Sequence, residues 1–151
     1  MSATMNQLPA RATYTSAPVY RMSVEQYHAL VEQGHLTADD PVELVEGVLV
    51  FKMPKNPPHR LVNRRLFDLI QSLLVGSVHC QTHEPITLSD GEPEPDVALV
   101  LGDPEDYPDR HPSAAEVLLV IEVSDATLLF DRGPKLRSYA RAGSVNIGLS
   151  T

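Results

Sequence analysis

Two carboxylates occupy places in this sequence where an acid needs a reason. Asp96 stands between Pro95 and the apolar run Val97–Leu101, so it marks the entrance of a strand. Glu122 interrupts VLLVIEV, residues 117–123, the most apolar run in the chain. An unpaired charge there is expensive, so the carboxyl must ligate a cation, pair with a base or carry a proton. If the two strands are neighbours, both acids can share one Mg2+ or Mn2+ through oxygen ligands. A salt bridge from Glu122 to Arg132 or Lys135 at the strand end accounts for the acid equally well. The remaining acids of Glu92-Pro93-Glu94-Pro95 read as a stiff loop, with Asp96 the one member fixed by a strand.

The charges around these acids are segregated. Between Leu66 and Asp109 there are ten acids and no Lys or Arg. Residues 51–65 hold Lys52, Lys55, Arg60, Arg64 and Arg65 with no acid, and residues 132–141 hold Arg132, Lys135, Arg137 and Arg141, again with none. An acidic centre flanked by two basic helix regions could hold a metal beside a phosphate chain. Charge counts alone fit ordinary solvated helix faces better. The other candidates carry less. His79 and His83 could share a strand face but lack an evident third ligand. Cys80 has no orienting partner and reads as packing. Asp125 and Asp131 suit capping and pairing with Arg132.

The elements that must position these groups follow from periodicity. Ser23 with Gln26 forms a capping-box pattern, and Gly34 closes a helix over 23–34. Val42–Val45 and Val48–Phe51 are β-rich runs joined by Glu46-Gly47, a hairpin signal. Residues 59–75 carry leucines, valine and isoleucine at helical period up to Gly76. Short strands are expected at 78–83, 86–88 and 97–101. The apolar run 117–123 suits a central strand buried on both faces, and Pro134 opens a helix over 134–142 ended by Gly143. The order α, ββ, α, βββ, α gives a mixed α/β (α+β) domain.

Size and composition set the limits. The chain has 151 residues, 42% hydrophobic and 21% charged, which fits one globular domain. No apolar run approaches the ~20 residues of a membrane span. One cysteine excludes an internal disulfide and a multi-cysteine zinc site. A net charge of −8 argues against a protein that coats nucleic acid nonspecifically, though not against a nuclease, whose metal site is itself acidic. Residues 1–22 read as a disordered arm before the domain, without the apolar block of a secretory signal, and a cytoplasmic location is expected.

Taken together, Pro95-Asp96 followed by a Glu in the next core strand resembles the PD-(D/E)xK nuclease superfamily. More narrowly, the chain resembles the Uma-type family of restriction endonucleases. The matching segments are ELVEG (43–47), the proline loop into the His59 helix, EPEPDVALV (92–100) and HPSAAEVLLVIEVSDATLLFDRGPKLRSYARAG (111–143). The series of PD, IEVSD, DRGPK and YARAG is specific where a lone PD is not.

The resemblance implies a restriction-endonuclease-like core, a mixed central sheet flanked by helices over residues 23–143, and Mg2+-dependent hydrolysis of DNA phosphodiesters. Asp96 and Glu122 would be metal ligands, and Lys135 would take the part of the superfamily lysine, since Ser124 stands two residues after Glu122. Glu46 resembles the extra N-terminal carboxylate, with Glu43 the alternative. His59 matches the histidine opening the first long helix, where it would contact phosphate or metal or make a structural hydrogen bond; Arg60 and Arg64 would add nucleic-acid contacts. After Gly143 the family pattern is lost: residues 144–151 read as a divergent tail, so a shortened member lacking its last core strand is expected. Such a sheet would expose an edge and favour aggregation or a homodimer. The rival functions are a silent remnant that binds nucleic acid or dimerises, and a metal-dependent hydrolase other than a nuclease.

Overall fold

The structure is a computed structural model that describes residues 18–52, 57–124, 129–143 and 145–150. Helix α1 (Val24–Glu32) starts with the expected capping box: Gln26 N–H donates to Ser23 Oγ at 3.2 Å, and Ser23 N–H donates to Gln26 Oε1 at 2.9 Å. Strands β1 (Val42–Val45) and β2 (Val48–Phe51) form the expected hairpin. Its two turn residues, Glu46 and Gly47, both have positive φ, of 50° and 76°, as a turn matching the strand twist requires. Residues 1–17 of the expected N-terminal arm lie outside the described residues. Those nearest the domain are held: Met22 N–H donates to Gly47 O, and the Arg21 guanidinium to Glu46 O.

Helix α2 (Pro57–Leu73) precedes β3 (Val78–Gln81), β4 (Val97–Leu101) and β5 (Val117–Ser124), and helix α3 (Leu129–Arg141) leads to β6 (Val145–Ser150). The four strands form one sheet in the order β3-β4-β5-β6. The first three run antiparallel, and β5 and β6 are parallel across the α3 crossover. Between the two faces of this sheet the apolar residues divide cleanly. Ile86, Leu88, Ala98, Val100, Val117 and Val120 pack with Tyr139 and Leu136 of α3. Cys80, Val97 and Ile121 pack under Leu66, Phe67, Ile70 and Leu74 of α2. The result is a sheet between helices, the mixed α/β class expected from the sequence.

Four expectations are corrected in detail. Residues 86–88 form no strand, only a bridge from Thr87 to Ser113, because the Ile86 and Leu88 N–H groups donate instead to Pro93 O and Gly91 O of the following loop. Strand β3 stops at Gln81, before His83 turns to a φ of 56°. Helix α3 begins at Leu129, so Pro134 lies inside it. The core strand expected to be missing is present: Val145–Ser150 pairs with β5 from Leu119↔Val145 to Ser124↔Ser150. The alternating Val145, Ile147 and Leu149 are apolar enough to form it, and Gly143 with φ 79° turns the chain from α3 into the strand.

The hairpin is a separate two-stranded sheet, tied to the loop before β4. Glu92 N–H donates to Leu44 O at 2.8 Å, and Gly47 N–H to Asp90 O at 2.7 Å. At Gly91 the backbones approach so closely that a Cβ would stand 2.5 Å from Leu44 O. This tie brings the acids of β1 to the entrance of β4.

Candidate active site

Strands β4 and β5 pair Val97 with Ile121, so Asp96 and Glu122 lie one step beyond that pair, at the same end of the central strands. Asp96 is buried and its carboxylate is fully held: Val123 N–H donates to Oδ2 at 2.8 Å, while Oδ1 receives His59 Nε2 at 2.9 Å and Asn63 Nδ2 at 3.1 Å. His83 Nδ1 stands 3.5 Å from the same Oδ1. Both α2 residues project from one face of that helix, four positions apart. Once the Asn63 amide is turned to donate to Asp96, its Oδ1 is buried without a hydrogen-bond partner among the described residues.

Glu122 is held from α3. Tyr139 Oη donates to Glu122 Oε1 at 2.8 Å, and Lys135 Nζ lies 3.5 Å from that oxygen. Lys135 is bound more closely elsewhere, to Glu43 Oε1 at 2.9 Å and to the Glu94 carbonyl at 3.1 Å. Glu43, buried on β1, has its other oxygen capped by Glu94 N–H at 2.8 Å. Lys52 at the end of the hairpin pairs with the Glu94 carboxylate at 2.6 Å.

Two buried acids, Glu43 and Asp96, and the half-buried Glu122 thus lie around one lysine. Burial pushes the Glu122 carboxyl up to about 7; Lys135 opposes the rise, and the Asp96 charge adds to it. Burial also pulls on the Lys135 ammonium, but the Glu122 and Glu43 carboxylates outweigh it and hold the lysine above its ordinary pKa. The lysine is therefore a firm cation among carboxylates, and Glu122 takes up a proton more readily than an ordinary carboxyl. Tyr139, wholly buried, is raised well above the usual phenol value by burial and by Glu122, so it remains a donor. Asp96 and Glu122 supply hard oxygen atoms of the type that hold Mg2+ or Mn2+.

Of the residues singled out from the sequence, Asp96, Glu122, Lys135 and His59 are brought together. Glu46 is not. Its carboxylate accepts from Arg137 Nε at 3.0 Å and Arg141 Nη2 at 2.8 Å, and these bonds, Arg137 foremost, lower its pKa to about 2. Glu43 takes the position beside Lys135 instead. Arg60 and Arg64 lie exposed on α2, and Arg64 pairs with Asp68 one turn on. His79 and His83 part company: His79 Nδ1 bonds the Gly102 carbonyl, whereas His83 faces Asp96. Cys80 is buried, and burial pushes its thiol up to about 11, far from a thiolate nucleophile. The side chains of Asp125, Asp131 and Arg132 lie outside the described residues.

Sequence reasoning passed over Asn63 and Tyr139 and ranked Glu43 below Glu46. A polar residue on the inner face of an apolar helix was the available signal for Asn63. For Glu43 it was an acid flanked by Val42 and Leu44 inside a strand, the same signal that picked out Glu122.

The Uma2 family, described as "Putative restriction endonuclease", matches residues 24–147. The fold is similar to a solved structure, a putative nuclease belonging to DUF820 from Anabaena variabilis. The TM-score is 0.59 at 15% identity, over 80% of this chain and 72% of that one. At that identity the likeness speaks for the fold, a restriction-endonuclease-like core. No curated protein matches the chain.

Proposed function

The chain belongs to the Uma2 family, and on that footing we propose that it is a nuclease, dependent on Mg2+ or Mn2+, that hydrolyses DNA phosphodiester bonds. The observation that carries the reading is a half-buried lysine held 2.9 Å from the buried Glu43 and 3.5 Å from Glu122, beside a second buried acid, Asp96. Three acids and one lysine in low dielectric leave negative charge that a divalent cation would balance.

The donor set fits such an ion. Among the described residues no three His, Cys, Asp or Glu side chains close around one point. Mg2+ does not need them, because it is commonly held by one or two carboxylates together with waters and substrate phosphates. Asp96 and Glu122 would be those carboxylates, and the unsatisfied Asn63 Oδ1 is a further buried acceptor beside them. When bound, the ion supplies Lewis-acid stabilisation of phosphate charge and a more acidic water.

The chain's own residues do the rest. Lys135 presents a fixed ammonium to charge building on the phosphate, and its anchorage by Glu43 and the Glu94 carbonyl leaves little reorganisation to make. His59, Asn63 and Val123 N–H hold Asp96 in one orientation. Arg60, Arg64 and Arg65, exposed on α2, offer backbone-phosphate contacts on a chain whose overall net charge is −8. Glu46 has no part in this reading, since two arginines occupy it. The rival, a silent remnant, rested on a missing core strand, and β6 removes that support. Among the described residues no helix is long and apolar enough to cross a membrane.

The test is nicking of supercoiled plasmid DNA with Mn2+, with Mg2+ and with EDTA, by the parent chain and by Asp96→Asn. Cleavage should need the metal and fall on the order of 100-fold in the variant. Equal cutting by Asp96→Asn would refute the proposal.

A further inference from the structure

Tyr139 ends the side chain of a fully buried ring in the core, yet its hydroxyl lies in the site rather than in the core. A buried phenol must find an acceptor, and the acceptor is Glu122 Oε1 at 2.8 Å. Lys135, four residues earlier on the same face of α3, competes for that oxygen from 3.5 Å. No described residue donates to Glu122 Oε2.

We infer that Tyr139 is the positioning residue of Glu122: its hydroxyl holds the carboxylate as a metal ligand and keeps it from closing onto Lys135. The inference rests on the metal-dependent reading above. Without the phenol, Glu122 Oε1 keeps one donor among the described residues, Lys135. The carboxylate would close the 3.5 Å gap to the ammonium, so that ligand and cation neutralise each other. Tyr139 thereby separates two roles that charge alone would merge. Lys135 is free to be held by Glu43 and the Glu94 carbonyl, and Glu122 is free to take a metal. Removal of a group that orients a metal ligand characteristically costs 10- to 100-fold in affinity or activity.

The experiment is calorimetric titration of the full chain with Mn2+, alongside Tyr139→Phe, Glu122→Ala and Ser138→Ala. Ser138 is the buried neighbour whose hydroxyl turns away to Asp90, so its variant should leave the Kd unchanged. Tyr139→Phe should raise the Kd for Mn2+ about 10-fold and lower kcat on plasmid DNA with KM little changed. A cooperatively folded Tyr139→Phe that binds Mn2+ as tightly as the parent would overturn the inference and leave the nuclease reading standing. A parent chain that binds no Mn2+ would overturn both. Should Tyr139→Phe not fold, the parent labelled with 13C-tyrosine and titrated with Mg2+ gives the answer. The ring Cζ signal of Tyr139 should move while those of the other tyrosines stay, and an unmoved Tyr139 signal on a chain that binds the ion overturns the inference.

Discussion

Lys135 and Glu43 meet at 2.9 Å, closer than Lys135 comes to Glu122, although Glu43 belongs to the hairpin and not to the central sheet. The site is therefore assembled from two sheets, and the lysine is fixed by the smaller one. Removing one partner of a buried pair leaves the other charge uncompensated, at a cost of about 3 kcal/mol or more. Glu43→Gln should lower stability by that order in urea denaturation and depress plasmid cleavage as well. Glu46→Gln, three residues on, should cost about 1 kcal/mol or less, as exposed pairs do, and leave cleavage intact. Reversed effects of the two variants would return the N-terminal carboxylate to Glu46.

The arginines around Glu46 also set an acid limit. Hydrogen bonds from Arg137 and Arg141 hold its pKa at about 2, below the ordinary 4.5. A lowered folded-state pKa contributes stability that is full above the unfolded value and is lost as pH falls through the folded one. The contribution should therefore fade between about pH 4.5 and pH 2. Thermal melts across that interval should show a steeper acid decline for the parent than for Glu46→Gln. Parallel declines would mean that the Glu46 cluster does not report on folding.

Much of this architecture was legible because local signals agreed. The Ser23 capping box, the Glu46-Gly47 turn and the apolar run of β5 each specify one conformation, and each is found in the structure. Asp96 and Glu122 were legible for the opposite reason, as acids set against apolar strands. What sequence could not give was the partner across space. The register that sets Asp96 beside Glu122, and the backbone tie at Gly91 that carries Glu43 to Lys135, are long-range facts. Glu46 stood ahead of Glu43 only through the resemblance of ELVEG to the family motif, and a turn residue points where the hairpin packs, here onto α3 arginines. Tyr139 gives no local signal, because a tyrosine buried in the core differs from any other only in where its hydroxyl ends, here on Glu122.

Gly91 is where that tie can be tested. A Cβ there would stand 2.5 Å from Leu44 O and 3.3 Å from Val45 Cα, both backbone and unable to swing aside. Gly91→Ala must push the hairpin from the β4 entrance, and overpacking of this kind costs roughly 1–3 kcal/mol. The variant should melt lower and also lose cleavage, because Glu43 moves with the hairpin. Gly76→Ala is the comparison: its φ of 81° strains an alanine, but nothing lies within 4 Å of the added atom. It should lower stability and leave cleavage per folded molecule unchanged. Equal cleavage by the two folded variants would mean that hairpin placement does not govern the site.

The exposed basic face of α2 makes a prediction about binding rather than folding. Arg60 and Arg64 share that face, but Arg64 is already paired with Asp68 at 3.1 Å. Arg60 is the better phosphate contact on this account. Arg60→Ala should change stability by no more than about 0.5 kcal/mol, as surface substitutions do. Its DNA affinity should fall, and the slope of log K against log salt should become shallower by about 0.9 for the lost phosphate contact. Arg64→Ala should show a smaller loss, since part of its charge is spent on Asp68. Fluorescence anisotropy on labelled duplex DNA at several salt concentrations, with Ca2+ replacing Mg2+ to prevent cleavage, measures both quantities. An unchanged salt slope in Arg60→Ala would move the DNA path off α2 and onto the basic residues of the hairpin end, beginning with Lys52.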